Sequence, residues 1–193
     1  MAFGTRQTFD PSGTKMAYVS DRGGALVVRD VTTEAERSFD TGEIPAAASG
    51  NVISGLRALA WVDDRRLAVL MSRLVSPQRC GPLGNCPTTT TAVPTTPTSQ
   101  VLIFDPETEE LEDATVLSAP VGATWAFLAR GSGSAELVVA ERPSSATGEA
   151  PWNIVAIGTD TPGTRLITSL PPFALPLSID SSGQHLLFQG LPP

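Results

Sequence analysis

Two cysteines with five residues between them, Cys80-Gly81-Pro82-Leu83-Gly84-Asn85-Cys86, give the sharpest chemical signal in the sequence. Gly, Pro and Asn favour a tight, solvent-facing loop, and such a loop brings two Cα atoms within disulfide range. A disulfide is the expected state, with a ring closure worth roughly 2 kcal/mol in the chain-entropy model. It implies an oxidising, extracytoplasmic compartment. Free thiols and a metal site are the alternatives, but two thiolates without a nearby His or further Cys cannot complete a tetrahedral zinc shell. Arg79 and Asn85, on the same loop, are candidate ligand contacts.

The other chemistry-bearing residues point away from catalysis. His185 is the single histidine; it follows a turn and enters a strand, and no Gly-x-Ser-x-Gly elbow accompanies it. Gly131-Ser132-Gly133-Ser134 reads as a hairpin turn. The acidic cluster Glu107, Glu109, Glu110, Glu112 and Asp113 lacks calcium-loop spacing and is expected to be a solvated hairpin. Gly-Ser turns precede strands here, so no phosphate cradle is formed. Neither a catalytic residue nor a metal or cofactor site is expected. Trp61 and Trp125 sit in the first strands of successive units, where core packing accounts for them. Trp152, after the 143–151 loop, is expected to be exposed and is the candidate for stacking on a ligand.

The elements that would position these residues are short strands arranged as a repeat. Ala25-Leu26-Val27-Val28-Arg29-Asp30-Val31-Thr32-Thr33-Glu34 matches Gln100-Val101-Leu102-Ile103-Phe104-Asp105-Pro106-Glu107-Thr108-Glu109 in plan. Each runs a β-rich stretch into Asp-x-x-Thr-Glu, where the Asp side chain can cap the N–H groups of a tight turn. Asp10-Pro11-Ser12-Gly13 recurs as Asp180-Ser181-Ser182-Gly183 in the same position of a later unit. Repeats of one strand-and-turn unit indicate a repeat architecture.

The predicted strands fall into units. The first takes in Lys15–Ser20, Ala25–Val31 and Ala35–Phe39 after a strand ending near Phe9. The second starts near Leu56 with Ala58–Val62, then Arg66–Ser72, Gln100–Asp105 and Leu111–Leu117. The third has Ala123–Arg130, Glu136–Arg142, Trp152–Gly158 and Thr164–Leu170. A fourth begins with Ala174–Ile179 and His185–Phe188. The expected organisation is a single domain over 1–193, all-β, with blades at about 5–40, 54–118, 121–170 and an incomplete 173–193. A Cys/Thr/Pro-rich insertion occupies 76–99, extended in backbone preference and unable to bury a core.

Phe9-Asp10-Pro11-Ser12-Gly13, Lys15-Met16-Ala17-Tyr18, Ser20-Asp21-Arg22-Gly23 and Asp30 resemble the TolB-type, WD-like propeller repeat. That repeat places Ser-Pro-Asp-Gly before a Lys-x-[Ile/Leu]-Ala-[Phe/Tyr] strand, then Ser-Asp-Arg-x-Gly and a strand ending in Asp. Asp10 and Ser12 have exchanged places around Pro11, and the second unit lacks the Gly. The resemblance is clear over 8–34 and weaker elsewhere. It implies a partial β-propeller of about three and a half four-stranded blades. No activity is implied, because the family includes scaffolds, peptidase gates and sugar-binding modules.

Composition bounds the function. The 193 residues carry 13 basic and 20 acidic side chains, a net charge of -7, which disfavours a nucleic-acid partner. No run of apolar residues is long enough to span a membrane, and any export signal or anchor is expected upstream of Met1. The expected function is a non-catalytic extracytoplasmic scaffold or sensor, bacterial in source, that binds another protein or an envelope ligand. Its binding loops are expected at 76–99 and 143–151. The alternatives are the propeller part of a larger, prolyl-peptidase-like hydrolase and a carbohydrate-binding propeller. Open blade edges also make a homodimer an expectation.

Overall fold

The computed structural model describes residues 7–20, 25–40, 52–75, 99–133, 135–143, 150–161, 163–179 and 185–190. Among these residues fourteen strands are assembled antiparallel into three four-stranded sheets and a two-stranded one. The first sheet holds β1 (Gln7–Phe9), β2 (Lys15–Val19), β3 (Ala25–Asp30) and β4 (Glu36–Asp40). The second holds β5 (Val52–Trp61), β6 (Leu67–Val75), β7 (Ser99–Phe104) and β8 (Thr115–Ser118). The third holds β9 (Ala123–Arg130), β10 (Glu136–Pro143), β11 (Asn153–Gly158) and β12 (Thr164–Ser169). The last pair is β13 (Leu175–Ile179) and β14 (Leu186–Gln189). Within every sheet the strands follow chain order.

Period-two alternation decides how the sheets stack. In the second sheet, Ala58, Ala60, Ala68, Leu70, Val101 and Ile103 pack on the third sheet's Trp125, Leu128, Leu137, Val139 and Val155. The intervening Leu59, Trp61, Leu67, Val69, Leu102 and Phe104 pack on the first sheet's Ala17, Leu26, Val28 and Phe39. Both faces are thus buried, which is why these strands read as unbroken apolar runs. Phe39 meets Phe104 edge to face at 5.2 Å. A third core joins Phe127, Val138, Ala140, Trp152 and Ile154 to Leu170 and Ala174. Outer strands are wet: every residue of β12 is exposed.

The first strands β1, β5, β9 and β13 lie innermost, with β5 against both β1 and β9, and β9 against β13. Face-to-face sheets whose first strands gather about one line make a propeller arrangement, of about three and a half blades. Two predicted elements differ from the structure. The first strand of the second unit begins six residues before the predicted Ala58, because β5 continues through Gly55 and absorbs Arg57 in a bulge between Leu56 and Ala58. Residues Leu111–Asp113 form a 3-10 turn, so β8 starts only at Thr115.

Candidate functional site at the turn end of the sheets

Hairpin turns between first and second strands, and between third and fourth, lie at one end of each sheet. In the first two sheets their backbone is held by acidic caps. Asp10 accepts the Lys15 N–H at 2.7 Å and is further bonded by the hydroxyls of Ser12 and Thr14. Gly13 closes that turn at φ +72°, where a Cβ would be strained. Asp63 accepts the N–H groups of Arg65 and Arg66 at 2.9 and 2.7 Å, and Asp30 those of Thr32 and Thr33 at 2.9 and 2.7 Å. Asp105 accepts from Glu107 N–H at 3.0 Å, while the Glu109 carboxylate takes the Asp105 N–H at 2.8 Å. The capping role expected of Asp30 and Asp105 is present in both turns.

Hairpin-closing bonds make Lys15, Arg66 and Glu136 equivalent: their carbonyls accept from Asp10, Val62 and Gly131 N–H. At the first two positions the side chain is basic and reaches the next sheet. Lys15 Nζ lies 2.5 Å from Glu107, and Arg66 lies 2.6 Å from Asp160 while also pairing with Asp63 at 2.7 Å. Arg37 adds a bond to the Pro106 carbonyl at 2.8 Å and pairs with Glu110. Arg65 crosses its own sheet to the buried Asp105 at 2.8 Å. Glu107 and Glu110, exposed as expected of a solvated hairpin, also tie the second blade to the first.

The pairs made by Arg65 and Arg66 line a cleft of about 830 Å³ bounded by Asp63, Arg66, Asp105, Glu109, Thr159 and Asp160. For Asp63 and Asp105, burial by itself would raise the carboxyl, but backbone N–H donors and the neighbouring guanidinium outweigh it and hold each below the ordinary aspartate range. Asp10 is lowered too, its hydrogen bonds overcoming burial. Bonds to Asp160 and then Asp63 push the Arg66 guanidinium up. All four groups are held charged, and the arrangement fixes blades against one another.

A second cavity, of about 600 Å³, opens at the same end where the four first strands converge. Phe9, Trp61, Phe127, Arg130 and Leu177 line it. Trp61 donates from Nε1 to the Thr8 carbonyl at 3.4 Å, joining two of the walls. Phe9 and Leu177 stand 55% and 44% exposed, an unusual state for large apolar side chains that converge on one cavity.

Of the sequence-predicted site residues, only Trp152 is among those described. Arg79, Cys80, Asn85 and Cys86 fall outside the described residues, as do 76–98 and 144–149. The ends flanking those segments, Val75, Ser99 and Pro143, lie at the opposite end of the sheets from both cavities. Trp152 is a correction: it is 4% exposed and packed in the third core, with the Arg142 guanidinium 4.3 Å from its ring. Trp61 and Trp125 are buried as expected. His185 is exposed, immediately before β14. Sequence reasoning missed the axial groove because its walls come from four distant strands; the exposed Phe9 beside a turn was the available signal.

No family model and no curated protein matches the chain. Solved structures do. An acylaminoacyl peptidase from Pyrococcus horikoshii superposes with a TM-score of 0.55 at 16% identity, covering 95% of this chain and 27% of that one. The β-propeller domain of the Trilobed protease from Pyrococcus furiosus gives 0.49 at 17% identity, covering 97% and 50%. TolB from Acinetobacter baumannii gives 0.49 at 16% identity, covering 95% and 36%. The chain spans between about a quarter and a half of the length of these proteins. At such identities the shared property is the fold. Among the described residues no helix is long and apolar enough to cross a membrane.

Proposed function

We propose that the chain is a non-catalytic, extracytoplasmic propeller scaffold that binds a protein or envelope ligand in the axial groove. The observation that carries this reading is the convergence of β1, β5, β9 and β13 on one cavity with Phe9 and Leu177 left exposed. Support also comes from the charged cleft, whose carboxylates are committed to turn caps and interblade pairs. The compartment rests on the Cys80/Cys86 spacing. The exposed β14 edge, with Leu187 and Phe188 outward, is where pairing with a second copy would occur; light scattering would read it as twice the 20.2 kDa chain mass.

The test is a double substitution, Phe9→Asp with Leu177→Asp, compared with the parent for recovery of a discrete partner from an envelope extract. The proposal expects recovery to be lost while thermal unfolding is retained. Turnover of a peptide or ester substrate by the purified chain would contradict it.

A second reading, the propeller part of a longer hydrolase, is favoured by the coverage of 95% of this chain against 27% of the acylaminoacyl peptidase. The intact mass of the native protein separates the two. The carbohydrate alternative loses its platform with the burial of Trp152.

A further inference from the structure

The polar side chains on the wall of the axial groove are Thr8, Asp10, Trp61, Arg130 and Ser178. Four of them are engaged within the fold. Asp10 accepts the Lys15 N–H and the hydroxyls of Ser12 and Thr14. Trp61 donates to the Thr8 carbonyl, and the Thr8 and Ser178 hydroxyls donate to the Phe9 and Ile179 carbonyls at 3.5 and 3.4 Å. Arg130, the last residue of β9, has no ion-pair or hydrogen-bond partner among the described residues. Elsewhere at this end of the sheets Arg37, Arg65, Arg66 and Arg165 all hold carboxylates. In a chain with 20 acidic and 13 basic residues, a half-buried guanidinium left without an acid is a place for an anion from outside.

The rest of the cavity limits what can carry that anion. Phe9, Phe127 and Leu177 supply apolar wall, and the other polar side chains are already engaged, so a sugar would find few donors or acceptors. A peptide added as a strand would compete with existing bonds, since the Thr8 carbonyl and the Trp125 N–H and C=O of the inner strands have partners. The Asp10 carboxylate, held charged in its turn, shares the lining and sets a negative charge against a dianion such as a phosphate monoester. A planar monoanion on an apolar chain meets each condition, and about 600 Å³ is a volume ordinary for small-molecule sites.

We propose that the groove binds an aliphatic monocarboxylate, its head group bidentate on Arg130 and its chain against Phe9, Phe127 and Leu177. This rests on the scaffold reading above and gives the envelope ligand of that reading a chemical class.

The experiment is calorimetric titration of the full chain with octanoate, decanoate and dodecanoate, and with octanamide and octyl phosphate, each below its micelle concentration. Octanoate is expected to bind at least about tenfold more tightly than octanamide. Each added pair of methylenes should tighten carboxylate binding by about tenfold. Arg130→Gln should bring octanoate down to the affinity of octanamide, Arg130→Lys should keep part of the preference, and Phe9→Ser should weaken acid and amide alike. Neither Arg130 substitution breaks a pair among the described residues, so the unfolding temperature should hold. The acid-to-amide ratio of the unmodified chain needs no variant at all. Equal binding of acid and amide would overturn the assignment, as would a preference unchanged in Arg130→Gln. Tighter binding of octyl phosphate than of octanoate would overturn it too, and so would failure of every carboxylate to bind. The scaffold reading is decided separately, by partner recovery with the Phe9→Asp, Leu177→Asp variant.

Discussion

Asp63 serves three donors at once: the N–H groups of Arg65 and Arg66 and the Arg66 guanidinium. Removing such a cap costs about 1 kcal/mol in comparable settings, so Asp63→Ala should lower the urea midpoint by a corresponding amount. The acid behaviour follows from sign. The carboxyls of Asp10, Asp63 and Asp105 are held below the ordinary aspartate range in the folded chain. Each therefore stabilises the fold above that range and loses its contribution as pH falls through its lowered folded pKa. Urea unfolding should show these groups contributing nothing to the difference between pH 7 and pH 5, with a fall below about pH 4. Asp63→Asn should start lower at neutral pH and fall less steeply; parallel curves would contradict the assignment. Ser99 gives a buried counterpart. Its hydroxyl accepts from Trp125 N–H at 3.0 Å and donates to the Trp125 carbonyl at 3.2 Å, across the joint between second and third blades. Ser99→Ala leaves that N–H buried and unpaired, at a cost of about 1–3 kcal/mol, measurable by denaturant titration.

Individual strands show where sequence was a sufficient guide. β9 was legible end to end, because Ala123–Arg130 is a β-rich run stopped by Gly131 and Gly133. β5 was not, since Gly55 and Arg57 interrupt its apolar pattern and only pairing to β6 through a bulge carries it back to Val52. Leu111–Asp113 looks extended by alternation, yet bonds from Asp113 to Glu110 and from Ala114 to Leu111 curl it into a turn. Trp152 follows a Pro-rich loop and so reads as exposed, but the strand it precedes turns its ring into the third core. At the β11–β12 turn a Cβ on Gly158 would sit 2.3 Å from the Thr161 carbonyl. Gly158→Ala should therefore lower the unfolding temperature by displacing that turn, and an unchanged value would sink this account of it.

Over the whole molecule the ties between blades were invisible in sequence. Arg66 and Asp160 are 94 positions apart, and Arg37 and Glu110 are 73 apart, so no local pattern pairs them. The fold was legible because each blade announces itself by its own turns; the groove was not, because it exists only once four blades are assembled. Stability should grade along the chain accordingly. The second sheet is buried on both faces, whereas β13 and β14 form a two-stranded sheet with Leu177, Leu187 and Phe188 exposed. Hydrogen exchange should be slowest in β5–β7, β9 and β10 and fastest in β13 and β14. Uniform protection would mean that the half blade is held by contacts other than those described.

The binding face itself is open to direct test by placing a photo-reactive benzoyl-phenylalanine at Phe9 in one variant and at Thr90 in another, then irradiating each in an envelope extract. The axial-groove account predicts a discrete cross-linked species from position 9, competed by the unmodified chain, and none from position 90. Cross-linking from position 90 alone would place recognition in the 76–99 insertion and contradict it.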